Sequence, residues 1–145
     1  MNVVDSSAWL SYFAGDGNAA VFSGPIEKIS ELLVPSITIT EVFKNVLRQC
    51  GEEAALIVTA HMKQGRVISL DSELAMDAAK FGVFHKLPLA DSIIFATAQK
   101  YAAVLWTQDN DFEGLESVRY ISKSMIFHHT QKRRCHEPDK SSNHY

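Results

Sequence analysis

The chain has 145 residues, 46% hydrophobic and 10% aromatic, which suits one soluble domain with a proper core. A net charge of −3 and a pI near 6.0 do not describe a generally basic nucleic-acid binder, so any polyanion would need a local basic patch or metal ions. No apolar run approaches the ~18 residues of a membrane span, and the opening MNVVDSSAWL lacks the regions of a secretory signal, so a cytoplasmic protein without a membrane partner is expected.

Residues 2–5, NVVD, read as a short buried strand ending at an acid. Ser6 or Ser7 then caps a helix to about Phe13. GDGN, 15–18, is a loop. Residues 19–31 read as helical, with Phe22, Ile26 and Ile29 on one face and a break or restart at Gly24-Pro25. LLVPS, 32–36, is a second strand. Residues 37–50 carry Val42, Phe43, Val46 and Leu47 at helical spacing, with Thr38 or Thr40 as cap and Gly51 as stop. A helix over 52–64 ends at Gly65. RVISL, 66–70, is a third strand, and Asp71 or Ser72 begins a helix to about Phe84. Pro88 opens a helix over 89–102. VLWT, 104–107, is the fourth strand and VRYIS, 118–122, the fifth. Short apolar strands alternating with helices predict an α/β protein with a parallel sheet covered on both faces. Phe22, Ile26, Ile29, Val58 and Met62 could form either a dimer face or core.

After about Phe127 the sequence turns polar and has no aliphatic residue, so 1–127 is read as the folded domain and 128–145 as a flexible tail. His128, His129, Cys135 and His136 lack the paired spacing of a structural zinc site. Cys50 and Cys135 are read as two reduced thiols, with one disulfide as the alternative.

In open α/β sheets, ligands bind at the carboxyl ends of the strands. Asp5 ends the first strand, and Asp109 follows the fourth. Glu41 and Asp91 are each read as lying in the first turn of a helix, after Thr38-Ile39-Thr40 and after Pro88, both in apolar surroundings. Each acid has a plain structural explanation: a helix cap for Asp5, helix-dipole partners for Glu41 and Asp91, and turn formers for Asp109 and Asp111. Four acids converging on one edge would need more than that. Two carboxylates ~4 Å apart repel by about 4 kcal/mol at an effective dielectric of ~20, so protons or cations must neutralise the cluster. Oxygen donors without histidine or thiolate select Mg²⁺ or Mn²⁺, ions suited to phosphodiester hydrolysis. The hydroxyls of Ser6 and Thr107 are placed either to orient these acids or to serve local structure; Ser92 is read as a cap. Asp109, Asp111, Glu113 and Gly114 imitate the start of an EF-hand loop, but Tyr120 stands where its bidentate Glu belongs.

The stretches VVDSSAWLSYF, TITEVFKNVL, LPLADSIIFATAQKYAAVLWTQDNDF and VRYI resemble a PIN domain, and within that family the VapC-type toxins of toxin–antitoxin pairs. The resemblance covers roughly residues 1–122 and is most specific between Pro88 and Phe112. It implies a doubly wound α/β/α sandwich with a five-stranded parallel sheet. It also implies an Mg²⁺- or Mn²⁺-dependent endoribonuclease acting on RNA, a homodimer, and a small antitoxin that blocks the acidic site. The family's acids fall on Asp5, Glu41, Asp91 and Asp109, with Asp5, Asp91 and Asp109 as metal ligands. Ser6, Thr107 and Asp111 fall on auxiliary positions. Lys44, Arg48, Lys86 and Lys100 are candidates for touching phosphates, or they are merely solvated. Two other readings compete. One is a phospho-acceptor signalling domain, with Asp71 as acceptor and Thr107 as its hydroxyl. The other is a binding domain that has lost catalysis.

Overall fold

In the computed structural model the described residues are 1–123; the expected boundary at 127 and the tail 128–145 lie outside them. Five strands form one parallel sheet in the order β3-β2-β1-β4-β5. They are β1 (Asn2–Val4), β2 (Leu32–Pro35), β3 (Arg66–Ile68), β4 (Val104–Thr107) and β5 (Val118–Tyr120). The helices are α1 (Ser6–Ala14), α2 (Ala19–Glu27), α3 (Ser36–Cys50), α4 (Glu52–Met62), α5 (Ser72–His85) and α6 (Leu89–Lys100).

Strand periodicity explains the three layers. Successive side chains leave a strand on opposite faces, so neighbours enter different cores. Val3, Leu33 and Leu105 join Ile94 and Phe95 of α6 and Leu74 and Ala78 of α5. Val4, Leu32 and Val34 join Trp9 of α1, Phe22 and Ile26 of α2, Val42 of α3 and Met62 of α4. Both faces are dry, which is why the strands read as unbroken apolar runs. Removing a single side chain at the centre, as in Leu33→Ala, would cost about 2–5 kcal/mol.

This packing decides the double reading of the helix residues: Phe22, Ile26 and Met62 are core, Val58 is half-buried, and Ile29 is exposed outside α2. Pro25 does not break its helix as expected. It lies in the last turn of α2 with only Ile26 and Glu27 after it, and the buried ring packs inward while one backbone bond is lost. Thr38 and Thr40 do not cap α3. The helix starts at Ser36, directly behind Pro35, which leaves Thr38 buried inside the first turn. Gly51 does end α3, at φ 88°, where a side chain would be strained. Asp71 caps α5 by accepting from the Leu74 N–H at 2.8 Å. Cys50 is disulfide-bonded rather than a reduced thiol. No helix among the described residues is long and apolar enough to cross a membrane.

Strand order bears on the phospho-acceptor alternative. In doubly wound sheets of the 2-1-3-4-5 order the third strand is central and adjoins the first. Here β3 is an edge strand, with β2 between it and β1. Asp71 is therefore separated from Asp5, and its carboxylate is occupied with its helix and with Lys100 at 3.9 Å.

Candidate active site

The carboxyl edge of the sheet is formed where β1 and β4 run side by side. Val4 pairs with Trp106, and the Asp5 N–H continues the ladder to the Trp106 carbonyl at 2.9 Å. The two central strands therefore deliver Asp5 and Thr107 to the same place. The Thr107 hydroxyl donates to Asp5 Oδ2 at 2.9 Å, and the Ser7 hydroxyl donates to the same oxygen at 2.7 Å. Thr107 Oγ1 in turn accepts from the Asp109 N–H at 2.9 Å. Although Asp5 occupies the cap position of α1, its side chain makes no cap bond. Its Oδ2 is held by hydroxyls from two segments instead.

Glu41 comes in from the second turn of α3. The Ser6 hydroxyl donates to Glu41 Oε1 at 2.6 Å, so adjacent serines orient two different acids. Asp91 is buried in the first turn of α6. Asp109 and Asp111 sit on the turn after β4, where Asp109 Oδ1 accepts from the Asp111 N–H at 2.9 Å. The turn-forming reading of Asp109 is thus accurate, yet it leaves the other carboxylate oxygen free of that bond.

One carboxylate oxygen from each of Asp91, Asp109 and Asp111 lies within 4.8 Å of the others. Among the described residues this is the one such group of three, and it includes Asp111 rather than Asp5. Asp5 and Glu41 are neighbours of this trio, felt electrostatically by Asp91. Burial pushes the Asp91 carboxyl up to about 8, and the charges of Asp5, Asp109, Glu41 and Asp111 push the same way. Burial also pushes Asp5 up to about 6. Hydrogen bonds from Ser7, Thr107 and the Ser6 amide pull it back, while Glu41 adds to the rise. Among the described residues no lysine, arginine or histidine pairs with these acids; the ion pair within 4.0 Å is Lys100–Asp71. Crowded acids without a protein counterion and with oxygen donors alone fit a hard divalent cation.

Of the auxiliary hydroxyls, Ser6 and Thr107 both contact carboxylates, whereas the Ser92 hydroxyl turns back to the Leu89 carbonyl at 2.7 Å. The sequence reading missed Ser7, Gln108 and Asn18 as supports. Gln108 Nε2 donates to the Ser7 carbonyl at 3.2 Å, and Asn18 Nδ2 donates to Gln108 Oε1 at 3.1 Å and to the Ser122 carbonyl at 3.0 Å. These bonds clamp the turn after β1 to the turn after β4. Only the position of Ser7, two residues after an acid, hints at this in the sequence. Lys100 is committed to Asp71 and to the face of Tyr101, which leaves Lys44, Arg48 and Lys86 exposed.

A five-stranded parallel α/β/α sandwich with an acidic pocket at its carboxyl edge is the class of protein that this fold and site define. The chain belongs to the PIN domain family, whose model matches residues 3–117. Among solved structures it is similar to a toxin–antitoxin complex from Klebsiella pneumoniae, at 22% identity and TM-score 0.69 over 82% of this chain and 96% of that one. It is also similar to VapC20 of Mycobacterium tuberculosis, a Sarcin-Ricin loop cleaving toxin, at 21% identity and TM-score 0.65 over 77% and 92%. DNA-bound VapBC from Salmonella typhimurium matches at 16% identity and TM-score 0.65 over 83% and 96%. At these identities the likeness is one of fold. No curated protein matches in sequence.

Proposed function

We propose that this protein is a divalent-metal-dependent endoribonuclease and the toxin of a toxin–antitoxin pair, dimeric and held inactive by a small antitoxin. One observation supports the chemistry above the others: Asp91, Asp109 and Asp111 bring carboxylate oxygens within 4.8 Å of one another without a described protein cation to neutralise them. Membership of the PIN family and folds shared with VapC-type toxins support the biological setting.

Asp91, Asp109 and Asp111 would hold Mg²⁺ or Mn²⁺, with Asp5 and Glu41 close enough to act on it directly or through water. A bound cation supplies an acidified water and offsets charge building on the phosphodiester. The chain's own residues prepare that site. Ser7 and Thr107 fix Asp5, and Ser6 fixes Glu41, so both carboxylates are orientated before substrate arrives. Asp91 is protonated at neutral pH in the metal-free pocket and must lose that proton when a cation enters. Hydrolysis then forms a bond from water oxygen to phosphorus and breaks the bond to the leaving ribose oxygen. A site carboxylate can take the proton from water, and the leaving oxygen is protonated in turn.

The direct test is cleavage of single-stranded RNA by the purified chain with Mg²⁺ or Mn²⁺. EDTA, Asp5→Asn and Asp91→Asn should each abolish it. Cleavage that persists through all three would refute the mechanism.

A further inference from the structure

Asn18 stands at the start of α2, where an asparagine side chain ordinarily accepts from the first free N–H groups of the helix. Here it makes no such bond. Its backbone is fixed on both sides. The Asn18 carbonyl accepts from the Val21 and Phe22 N–H groups at 3.1 and 3.2 Å, and the Asn18 N–H donates to Asp16 Oδ1 at 3.1 Å. The buried side chain serves another purpose. Nδ2 donates to Gln108 Oε1 at 3.1 Å and to the Ser122 carbonyl at 3.0 Å, which uses both amide protons. The Ser122 carbonyl can only accept, so the Asn18 amide has one orientation. A single side chain thus joins the loop after α1, the turn after β4 and the chain leaving β5.

From Gln108, two bonds lead to Ser7. With Gln108 Oε1 accepting from Asn18, Nε2 faces the Ser7 carbonyl and donates to it at 3.2 Å. The Gln108 N–H donates to Ser7 Oγ at 3.4 Å. A serine hydroxyl has one proton. A donor already points at the Ser7 oxygen, so that proton is directed elsewhere, and it goes to Asp5 Oδ2 at 2.7 Å. Asn18 decides which way this chain of bonds runs. With the Gln108 amide reversed, its oxygen would meet the Ser7 carbonyl, two acceptors with no proton between them.

We propose that Asn18 is a positioning residue for the active site: by fixing the Gln108 side chain it holds the Ser7 hydroxyl on Asp5. The inference rests on the nuclease reading above, and one of its two tests is independent of activity. The first is RNA cleavage by the full-length chain with Mn²⁺ at pH 7. Asn18→Ala should lower kcat about 10-fold and leave KM within about 2-fold. Asn18→Asp keeps the size and suits a helix start, but it can donate neither bond, and it should lose as much. In a Ser7→Ala background the hydroxyl that carries the effect is gone, so adding Asn18→Ala should lower kcat by no more than about 2-fold further. The second test is a pair of metal-free crystal structures, wild type and Asn18→Ala. Ser7 Oγ should leave Asp5 Oδ2 in the variant, moving beyond about 3.5 Å. Where circular dichroism shows Asn18→Ala unfolded, Gln108→Met, which removes the same side-chain bonds at similar size, takes its place in both tests. A Ser7 hydroxyl that keeps its 2.7 Å contact in the variant would overturn the proposal whether or not the chain cleaves RNA. A fully active Asn18→Asp would also overturn it and make Asn18 a turn residue only. Equal losses with and without the Ser7 hydroxyl would do the same, since the effect would then bypass Asp5. A wild type that cleaves no RNA would refute the nuclease reading alone, and the crystal structures would still decide the positioning.

Discussion

The hydroxyl of Thr107, at the end of β4, donates to the carboxylate of Asp5, just past the end of β1, at 2.9 Å. The same oxygen of Thr107 accepts from the Asp109 N–H. One buried hydroxyl thus ties together two of the pocket's acids. Thr107→Val keeps the shape and removes both bonds. Activity should fall about 10–100-fold with the fold retained, the range expected for a group that orients a metal ligand. Thr107→Ser should keep most of it. Steady-state RNA cleavage and circular dichroism of the two variants provide the check; a fully active Thr107→Val would deny the hydroxyl its role.

Ser7 contributes the largest lowering influence on Asp5 among its hydrogen bonds. Ser7→Ala should therefore raise the Asp5 carboxyl further above 6, shifting the acid limb of the pH–rate profile to higher pH. Lowered cleavage at pH 6 with near-normal cleavage at pH 9 is the expected pattern. A uniform loss across pH would instead mean that Ser7 acts through the structure of the turn.

The trio of Asp91, Asp109 and Asp111 sharpens the roles of the last two. Asp109→Asn should abolish cleavage. Asp111→Asn should reduce it by about 10–100-fold and weaken Mn²⁺ binding, because its carboxylate oxygen lies within 4.8 Å of those of Asp91 and Asp109. Isothermal titration with Mn²⁺ alongside cleavage assays separates the two. Wild-type Mn²⁺ affinity in Asp111→Asn would return that residue to a turn-forming role.

Asp91 also sets a pH dependence for the metal-free protein. Its carboxyl is near 8 when folded and near 3.8 as an ordinary aspartate, so the folded chain holds the extra proton between those values. The folded state binding more protons means stability falls as pH rises through that window, and Asp5 adds the same trend between 3.8 and about 6. Asp91→Asn cannot titrate. In EDTA at pH 8 it should melt about 5 °C or more above the wild type, with the gap shrinking towards pH 5. Equal melting temperatures at pH 8 would exclude a charged, uncompensated Asp91.

The same proton couples to metal. At pH 7 each bound Mn²⁺ should release about one proton, and affinity should rise about tenfold per pH unit between 6 and 8. Calorimetry in two buffers of different ionisation enthalpy measures the release directly. Binding without proton release would place the cation away from Asp91.

Much of the fold was legible because strand and helix signals are local. The fourth strand, 104–107, and the helix opened by Pro88 stand where expected. The third and fifth strands are shorter than expected. Beyond the third strand Leu70 is exposed with no core to hold it; beyond the fifth, Ile121 still donates to the Thr107 carbonyl at 2.9 Å and packs against the core, but the paired strand ends at Tyr120. The Thr38 and Thr40 caps misled because a proline ahead of a helix can start it without a side-chain cap. Ser7 was hidden because it resembles any serine at a helix start.

By itself, the sequence determined the alternation of apolar strands and helices, and it supplied acids beside strand ends. Burial and periodicity are written locally, so they can be read locally. Only the tertiary structure decided which hydroxyl meets which acid, that Asp111 joins Asp91 and Asp109, and that Asn18 reaches Gln108 and Ser122. Those facts depend on strand order and register, which bring residues a hundred positions apart within hydrogen-bonding distance, as with Thr107 and Asp5 (separation 102).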